Sequence, residues 1–330
     1  MMNATTPLEL RALVEAAVLA PSSHNTQPWR FRTGNATVDL YADRRRALPV
    51  NDPDDRELHI SCGAALFNLR VAAAHWQVPV AVSMLPDAAD PDWLARVTCG
   101  MGSPEPLADL WPALTERRTH RRRFTDRAVE ADEVEALAAA AAAEGATCLT
   151  VGGEATRHEV GALVAEADRR LWDDPRWRRE LALWMHPRRR GDGLTLPGLP
   201  VPLAQFVVRT FDMGEGTGAT DRALTEGSPL LALLETTGDS PRDWLFAGQA
   251  LEHLLLTGCR RGLQASYLNQ SIQVTALRSE LGAVVGGSGV PQILLRLGYP
   301  AAALPATPRR PIDDVLDHGD GATSPGRRSS

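Results

Sequence analysis

Four strings concentrate the side chains able to do chemistry. The first, Ala20-Pro-Ser-Ser-His-Asn-Thr-Gln-Pro-Trp-Arg-Phe31, gathers hydroxyls and amides into one turn. Such groups both donate and accept hydrogen bonds, so they suit a polar ring edge or a phosphate, and the tryptophan suits an apolar face. On composition alone the string is a capped helix-to-strand turn. The second, Glu116-Arg-Arg-Thr-His-Arg-Arg-Arg-Phe124, sets several guanidiniums and a hydroxyl close together. That is the donor set of a compact dianion site, because guanidinium binds phosphate in a charged fork. A solvated basic face or a nucleic-acid patch has the same composition. The third is Arg296-Leu-Gly-Tyr-Pro300 followed by Pro308-Arg-Arg-Pro-Ile-Asp-Asp314, and on composition its arginines are surface charges. The fourth, Arg261-Gly-Leu-Gln-Ala-Ser-Tyr-Leu-Asn-Gln270, also fits the edge of a core strand.

Bulk properties narrow the choice. The formal net charge of the 330 residues is -6, which argues against attraction of the whole chain to nucleic acid or anionic membrane. The positive charge is all arginine, with no lysine. The four cysteines, Cys62, Cys99, Cys148 and Cys259, form no CxxC pair and read as small buried hydrophobes in a reducing compartment. The polar N-terminus lacks a signal-type apolar region, and no apolar run is long enough to cross a bilayer, so a cytoplasmic protein is expected. His24, His120, His186 and His253 lack ligand-like spacing, so no metal is expected. No GxGxxG turn follows a strand, and Gly286-Gly-Ser-Gly289 is too short to serve as one.

The elements that must position these strings are legible in outline. Thr6-Pro7-Leu8-Glu9 reads as a helix start, and Leu10, Leu13, Val14, Ala17 and Val18 continue a helical stripe to Pro21. Trp29–Phe31 and Val38–Tyr41 flank Gly34-Asn35 as a hairpin. Long helices are predicted at 56–75 and 244–261, an alanine-rich one at 133–144, and an interrupted one over 158–185. Strands are predicted at 94–99, 149–151, 230–234 and 293–297.

The two series look like weak repeats. Glu9-Leu-Arg-Ala-Leu13 lines up with Glu133-Val-Glu-Ala-Leu137 at an offset of 133 − 9 = 124, and the helix at Arg56 with that at Arg242 at 242 − 56 = 186. The second series therefore gains 186 − 124 = 62 residues near 170–230, including Gly214-Glu-Gly-Thr-Gly218. Such composition predicts loops with short helical pieces, and a long insertion of that kind is often a lid. Residues 318–330 read as a disordered tail.

The first string closely resembles the A-P-S-S-x-N-x-Q-P-W segment of the nitroreductase family of FMN enzymes. The resemblance implies that Ser22, Ser23, Asn25 and Gln27 lie beside the isoalloxazine ring, with Trp29 as packing. The second string resembles the family's R-R-S-x-R element, which implies that Arg117, Arg118, Thr119 and Arg121 hold the FMN phosphate and the pyrimidine side of the ring. By the same resemblance Arg309 and Arg310 reach the phosphate, while Asn269 and Gln270 fall where backbone approaches flavin N5. Tyr41-Ala-Asp-Arg44, Asn51-Asp-Pro53, Ser61–Leu66 and Asp239–Trp244 resemble the Acg-like, duplicated branch.

The resemblance covers about residues 8–315 and implies an α+β nitroreductase-like fold, antiparallel-type sheets wrapped by helices. The family elements are divided between the halves, since the first lacks an R-R-S-x-R element and the second lacks the S-S-x-N-x-Q-P-W turn. One site per chain follows, with residues 1–112 and 113–317 imitating a dimer and a lid-like insertion near 186–225. The implied activity is reduction of a small-molecule electron acceptor, nitroaromatic or quinone-like, by NAD(P)H through FMN. Storage or sequestering of FMN with little turnover is the alternative. With no lysine in the chain, Arg121 is the first candidate to stabilise negative charge on the reduced ring, and Arg118→Ala is expected to weaken FMN binding by about 1.5 to 3 kcal/mol.

Overall fold

The computed structural model describes residues 7–185, 191–194 and 214–318. Among the described residues nine strands form two sheets: β1 (Trp29–Gly34), β2 (Thr37–Ala42), β3 (Val80–Met84), β4 (Trp93–Cys99), β5 (Thr147–Thr150), β6 (Leu230–Thr236), β7 (Gln264–Tyr267), β8 (Val290–Gly298) and β9 (Leu316–His318). The first sheet has the order β3-β4-β2-β1-β9 and the second β5-β6-β8-β7. Every pairing is antiparallel except that of β1 with β9.

The main helices are α1 (Pro7–Ala17), α2 (Arg56–His75), α3 (Ala131–Ala143), α4 (Glu154–Asp173), α5 (Pro175–Leu183), α6 (Gly214–Glu226), α7 (Pro241–Arg260) and α8 (Thr275–Val285). Helix α2 packs on the first sheet, α7 on the second, and the two pack on each other. Eighteen of the 20 residues of α2 are buried, as expected for a helix enclosed on all sides. Helix α7 starts at a capping box, where the Asp243 amide donates to the Ser240 hydroxyl and the Ser240 amide donates to the Asp243 carboxylate.

Glycines allow the two long helices to touch. A Cβ on Gly63 would stand 2.3 Å from the Leu245 carbonyl oxygen, and one on Gly248 would stand 2.1 Å from that of Ile60. The contacts are reciprocal, since 245 − 60 and 248 − 63 are both 185. Such reciprocity is what a two-fold relation between the two helices would give, at an offset one residue from 186.

Several elements differ from expectation. In the stretch expected as loops with short helical pieces, Gly214–Gly218 opens α6, a 13-residue helix packed along α4. Tertiary packing outweighs poor helix propensity here: at Gly218 a Cβ would lie 3.1 Å from the Ala165 carbonyl oxygen, so glycine lets the two helices approach. Strand β3 escaped notice because its burial does not alternate and its central residues are exposed. Position 318 belongs to β9, not to a tail, and 319–330 lie outside the described residues. Most of the expected lid, 186–190 and 195–213, also lies outside them. A division at 112 does not separate the sheets, because the amide of Phe31 in β1 donates to the carbonyl of Val315 at 2.7 Å and β9 completes the first sheet.

Candidate functional site

The turn between α1 and β1 is held in an unusual conformation. His24, Asn25 and Gln27 have φ of 48°, 55° and 51°, the left-handed region that non-glycine residues avoid. Such residues persist when surrounding bonds over-determine them. The Gln27 amide donates to the Ser22 hydroxyl at 2.9 Å, and its side chain donates to the Gly191 carbonyl at 2.8 Å. Gln27 also accepts from the Arg310 amide at 2.9 Å, and the Arg310 side chain returns a bond to the Gln27 carbonyl at 3.1 Å. Gln27 thus clips three distant segments together. At Gly191 a Cβ would collide with the Arg309 carbonyl oxygen, 1.9 Å away, so only glycine permits this crossing.

Above this turn lies a cavity of about 540 Å³, within the range of small-molecule and cofactor sites. Ser22, Ser23, Asn25, Arg117, Arg118, Thr119, Arg121, Asn269, Gln270 and Arg309 all line it. These residues come from four remote stretches of sequence. Gln27 and Arg310, also expected at the site, do not line it: both are buried in the clip beneath. Ser23 reaches the wall, but its hydroxyl donates to Glu57 at 2.5 Å, so it serves the protein first. The Asn269 side chain likewise accepts from the Leu294 amide at 3.0 Å.

The guanidiniums differ in what they have left to offer. Arg309 gives bonds to the carbonyls of Val18, Leu19, Thr307 and Pro308. Arg118 gives bonds to those of Leu304, Thr115 and Arg117 through Nε and Nη1, leaving Nη2 without a partner among the described residues. Arg117 faces the carboxylate of the fully buried Glu252 at 3.4 Å and donates to Leu19. Burial pushes Glu252 upward, against the pull of Arg117 and Arg309. Burial, then repulsion from Arg117, brings Arg309 down to about 9. An anion placed among these groups would relieve that repulsion. Arg121 has no hydrogen bond or ion pair among the described residues, so all five of its N–H donors are available. It is exposed by area, yet desolvation lowers its pKa; the two agree because the area it leaves open is cavity wall.

The rest of the wall supplies a body and a second polar end. Leu19, Ile60, Leu114, Leu251 and Ile293 form apolar surface. Tyr267 Oη and Arg296 Nε are buried donors without a hydrogen-bond partner among the described residues. His24 is desolvated and brought down to about 4, with repulsion from Arg121 adding to the effect, so it is neutral at pH 7. Away from the arginine cluster the cavity meets Glu57, Asp168 and Asp221 with Trp172 and Trp177. None of these five was picked out from sequence. The signal for Asp168 was an acid four residues from Val164 and from Trp172, inside a helical apolar stripe. The signal for Arg296 was a charge inside Ile293-Leu-Leu-Arg-Leu297, and it is 1% exposed.

A bipolar cavity of this kind, with a clustered cationic end and an apolar middle, suits a flat ring that carries an anionic tail. No family model matches the chain. It is 34% identical to a "Putative NAD(P)H nitroreductase" of Mycobacterium tuberculosis over 93% of this chain and 91% of that one. Identity to the Acg protein of that organism, which carries the same description, is 29% over 93% and 95%. It is 27% to a "Probable NAD(P)H nitroreductase PigM" of Serratia sp. over 98% of each. The FMN and NADPH-dependent nitroreductase NfnB matches in structure with a TM-score of 0.41 at 19% identity, over 63% of this chain and 97% of that one. With that level of identity maintained along nine-tenths of both chains, the protein belongs to the NAD(P)H nitroreductase family.

Proposed function

We propose that the chain binds one FMN in this cavity and acts as an NAD(P)H-dependent oxidoreductase on nitroaromatic or quinone-like acceptors. The observation that carries the reading is convergence: ten of the twelve residues chosen from sequence line one cavity. The donor set fits the cofactor. A phosphate would take the free donors of Arg118 and Arg121 and the charge of Arg117 and Arg309, with Thr119 alongside. The apolar wall would cover a flat ring. Bound FMN would accept hydride from a nicotinamide and pass electrons on, which is chemistry that no side chain here supplies. The protein's part is to orient, to exclude water, and to host negative charge. Arg121 is the group best placed for the last task, because its charge is not already neutralised by a partner.

Arg121→Ala is expected to raise the FMN dissociation constant roughly 10- to 100-fold, equal to about 1.5 to 3 kcal/mol. Arg118→Ala should cost less, since two of its three nitrogens already serve carbonyls. Equal effects in a fluorescence titration of flavin would reverse that ranking.

The test of the reading is the visible absorption of the purified protein under anaerobic conditions. A yellow protein that bleaches within seconds of adding NADPH or NADH supports it. A colourless protein that takes up no added FMN overturns it. The second reading, FMN storage, is favoured by one observation: Leu194, and Thr217, Asp221 and Leu224 of α6, reach the cavity from the sequence excess and so cover part of it. A yellow protein bleached by dithionite and by neither nicotinamide would select it.

A further inference from the structure

We propose that Asp168 is the proton donor to the electron acceptor, and that Asp221 is the neighbouring carboxylate that keeps that proton on Asp168. The inference rests on the oxidoreductase reading and adds to it the acid that the sequence did not disclose.

Asp168 and Trp172 stand four residues apart on α4, so they share one face of the helix, and both line the cavity. Thr217, Asp221 and Leu224 form the matching face of α6. The two helices pack together and bring both acids to one stretch of the cavity wall. Two buried carboxyls acting on each other favour a state in which only one is ionised. Asp168 is 3% exposed, and its Oδ2 has no hydrogen-bond partner among the described residues although it belongs to the cavity wall. Gln270 braces the pair, donating to Asp221 Oδ2 at 2.6 Å. Trp172 meets Trp177 edge to face, with ring centres 5.4 Å apart, and Leu181 and Leu194 extend the same wall. An aromatic acceptor seated on Trp172 would therefore lie beside the free oxygen of Asp168.

The location of the proton follows from the charges. Among the described residues, the ionisable groups acting on the pair are the two acids themselves and Arg296 from β8. Burial raises Asp221 too, but the Gln270 hydrogen bond and the charge of Arg296 favour its anion. Burial, then the neighbouring Asp221, pushes Asp168 up to about 7. Two carboxyls sharing a proton in this way behave as an acid poised for neutral solution.

The step balances for a quinone-type acceptor. NAD(P)H, the reductant of the proposed activity, supplies two electrons and one proton as hydride. The O–H bond of Asp168 breaks and leaves its electron pair on the carboxylate. The hydride equivalent, passed on through the bound cofactor, would account for one new O–H bond on the acceptor and the Asp168 proton for the other, giving the hydroquinone. Water then reprotonates the pair.

The test is acceptor reduction by the FMN-loaded protein, followed against pH with a benzoquinone. In the wild type the rate should fall as pH rises through about 7. Asp168→Asn should slow acceptor reduction at least 100-fold and remove that break. Asp221→Asn should move the break to lower pH, because Asp168 loses the neighbouring charge; a purely structural role would not move it. A rate within threefold of wild type in Asp168→Asn, or the same break in that variant, overturns the proposal. If Asp168→Asn does not fold, the infrared carbonyl band of protonated carboxyl in the wild-type protein decides. A band that disappears near pH 7 is expected, and none above pH 5 overturns the assignment. Failure to take up FMN sinks the oxidoreductase reading and this one together, whereas FMN uptake with a pH-independent rate sinks this one alone.

Discussion

Gly248→Val lowers stability by about 3 kcal/mol or more, read as a fall in the urea midpoint at unchanged slope. The reason lies in the crossing of α2 and α7. The first added carbon would stand 2.1 Å from the Ile60 carbonyl oxygen and 2.8 Å from the Gly63 Cα. Both are backbone atoms, so no side chain can rotate out of the way. The helices must separate, and each carries a sheet. Gly63→Val should behave alike, because the contact is reciprocal. Gly152→Ala is the control, since nothing lies within 4 Å of an added Cβ there. Equal midpoints for Gly248→Val and Gly152→Ala would show that the helices do not meet as described.

Arg70→Met costs about 3 to 5 kcal/mol, the range for removing one partner of a buried ion pair. From α2, Arg70 bonds Glu105 at 2.5 Å and 3.0 Å, Glu144 at the end of α3 at 2.5 Å, and Gln249 of α7 at 2.9 Å. His253 closes the network on Glu144 at 3.3 Å. Burial alone would raise Glu144, but hydrogen bonds from His253 and Arg70 outweigh it and hold the carboxyl below its usual 4.5. A depressed carboxyl contributes stability above 4.5 that is lost as pH falls through its folded value. In Arg70→Met the Arg70 attraction is gone and only His253 opposes burial, so Glu144 moves up and the wild-type advantage shrinks as pH falls through 4.5. The gap between variant and wild type should therefore be widest near pH 7. A gap that stays constant as pH falls from 7 through 4.5 and below would remove Glu144 from the explanation.

The long helices and the first hairpin were legible because their apolar periods run unbroken. The helix predicted over 56–75 is found there, and the interruption at Asp174-Pro175 separates α4 from α5. The strings of the site were legible as types. Their division of labour was not, since it depends on contacts far apart in sequence. Arg118 is spent on a carbonyl 186 residues away, and Arg310 is tied to Gln27 at a separation of 283. Nothing local distinguishes them from Arg121. Asp168 announced itself as an acid on an apolar stripe, but its partner Asp221 lies in a stretch whose glycines read as loop, and only the packing of α6 on α4 joins them.

The parallel pairing of β1 with β9 has a consequence for how the protein is made. The ribosome delivers Thr33 and its partner His318 separated by 318 − 33 = 285 residues. At ordinary elongation rates that interval is on the order of 15 to 60 s. Throughout it the nascent first sheet presents an unsatisfied strand edge, a template for pairing with any other chain. The edge of β1 thus stays open until residues 316–318 have been made, and a stop codon upstream of Val315 would leave it permanently open.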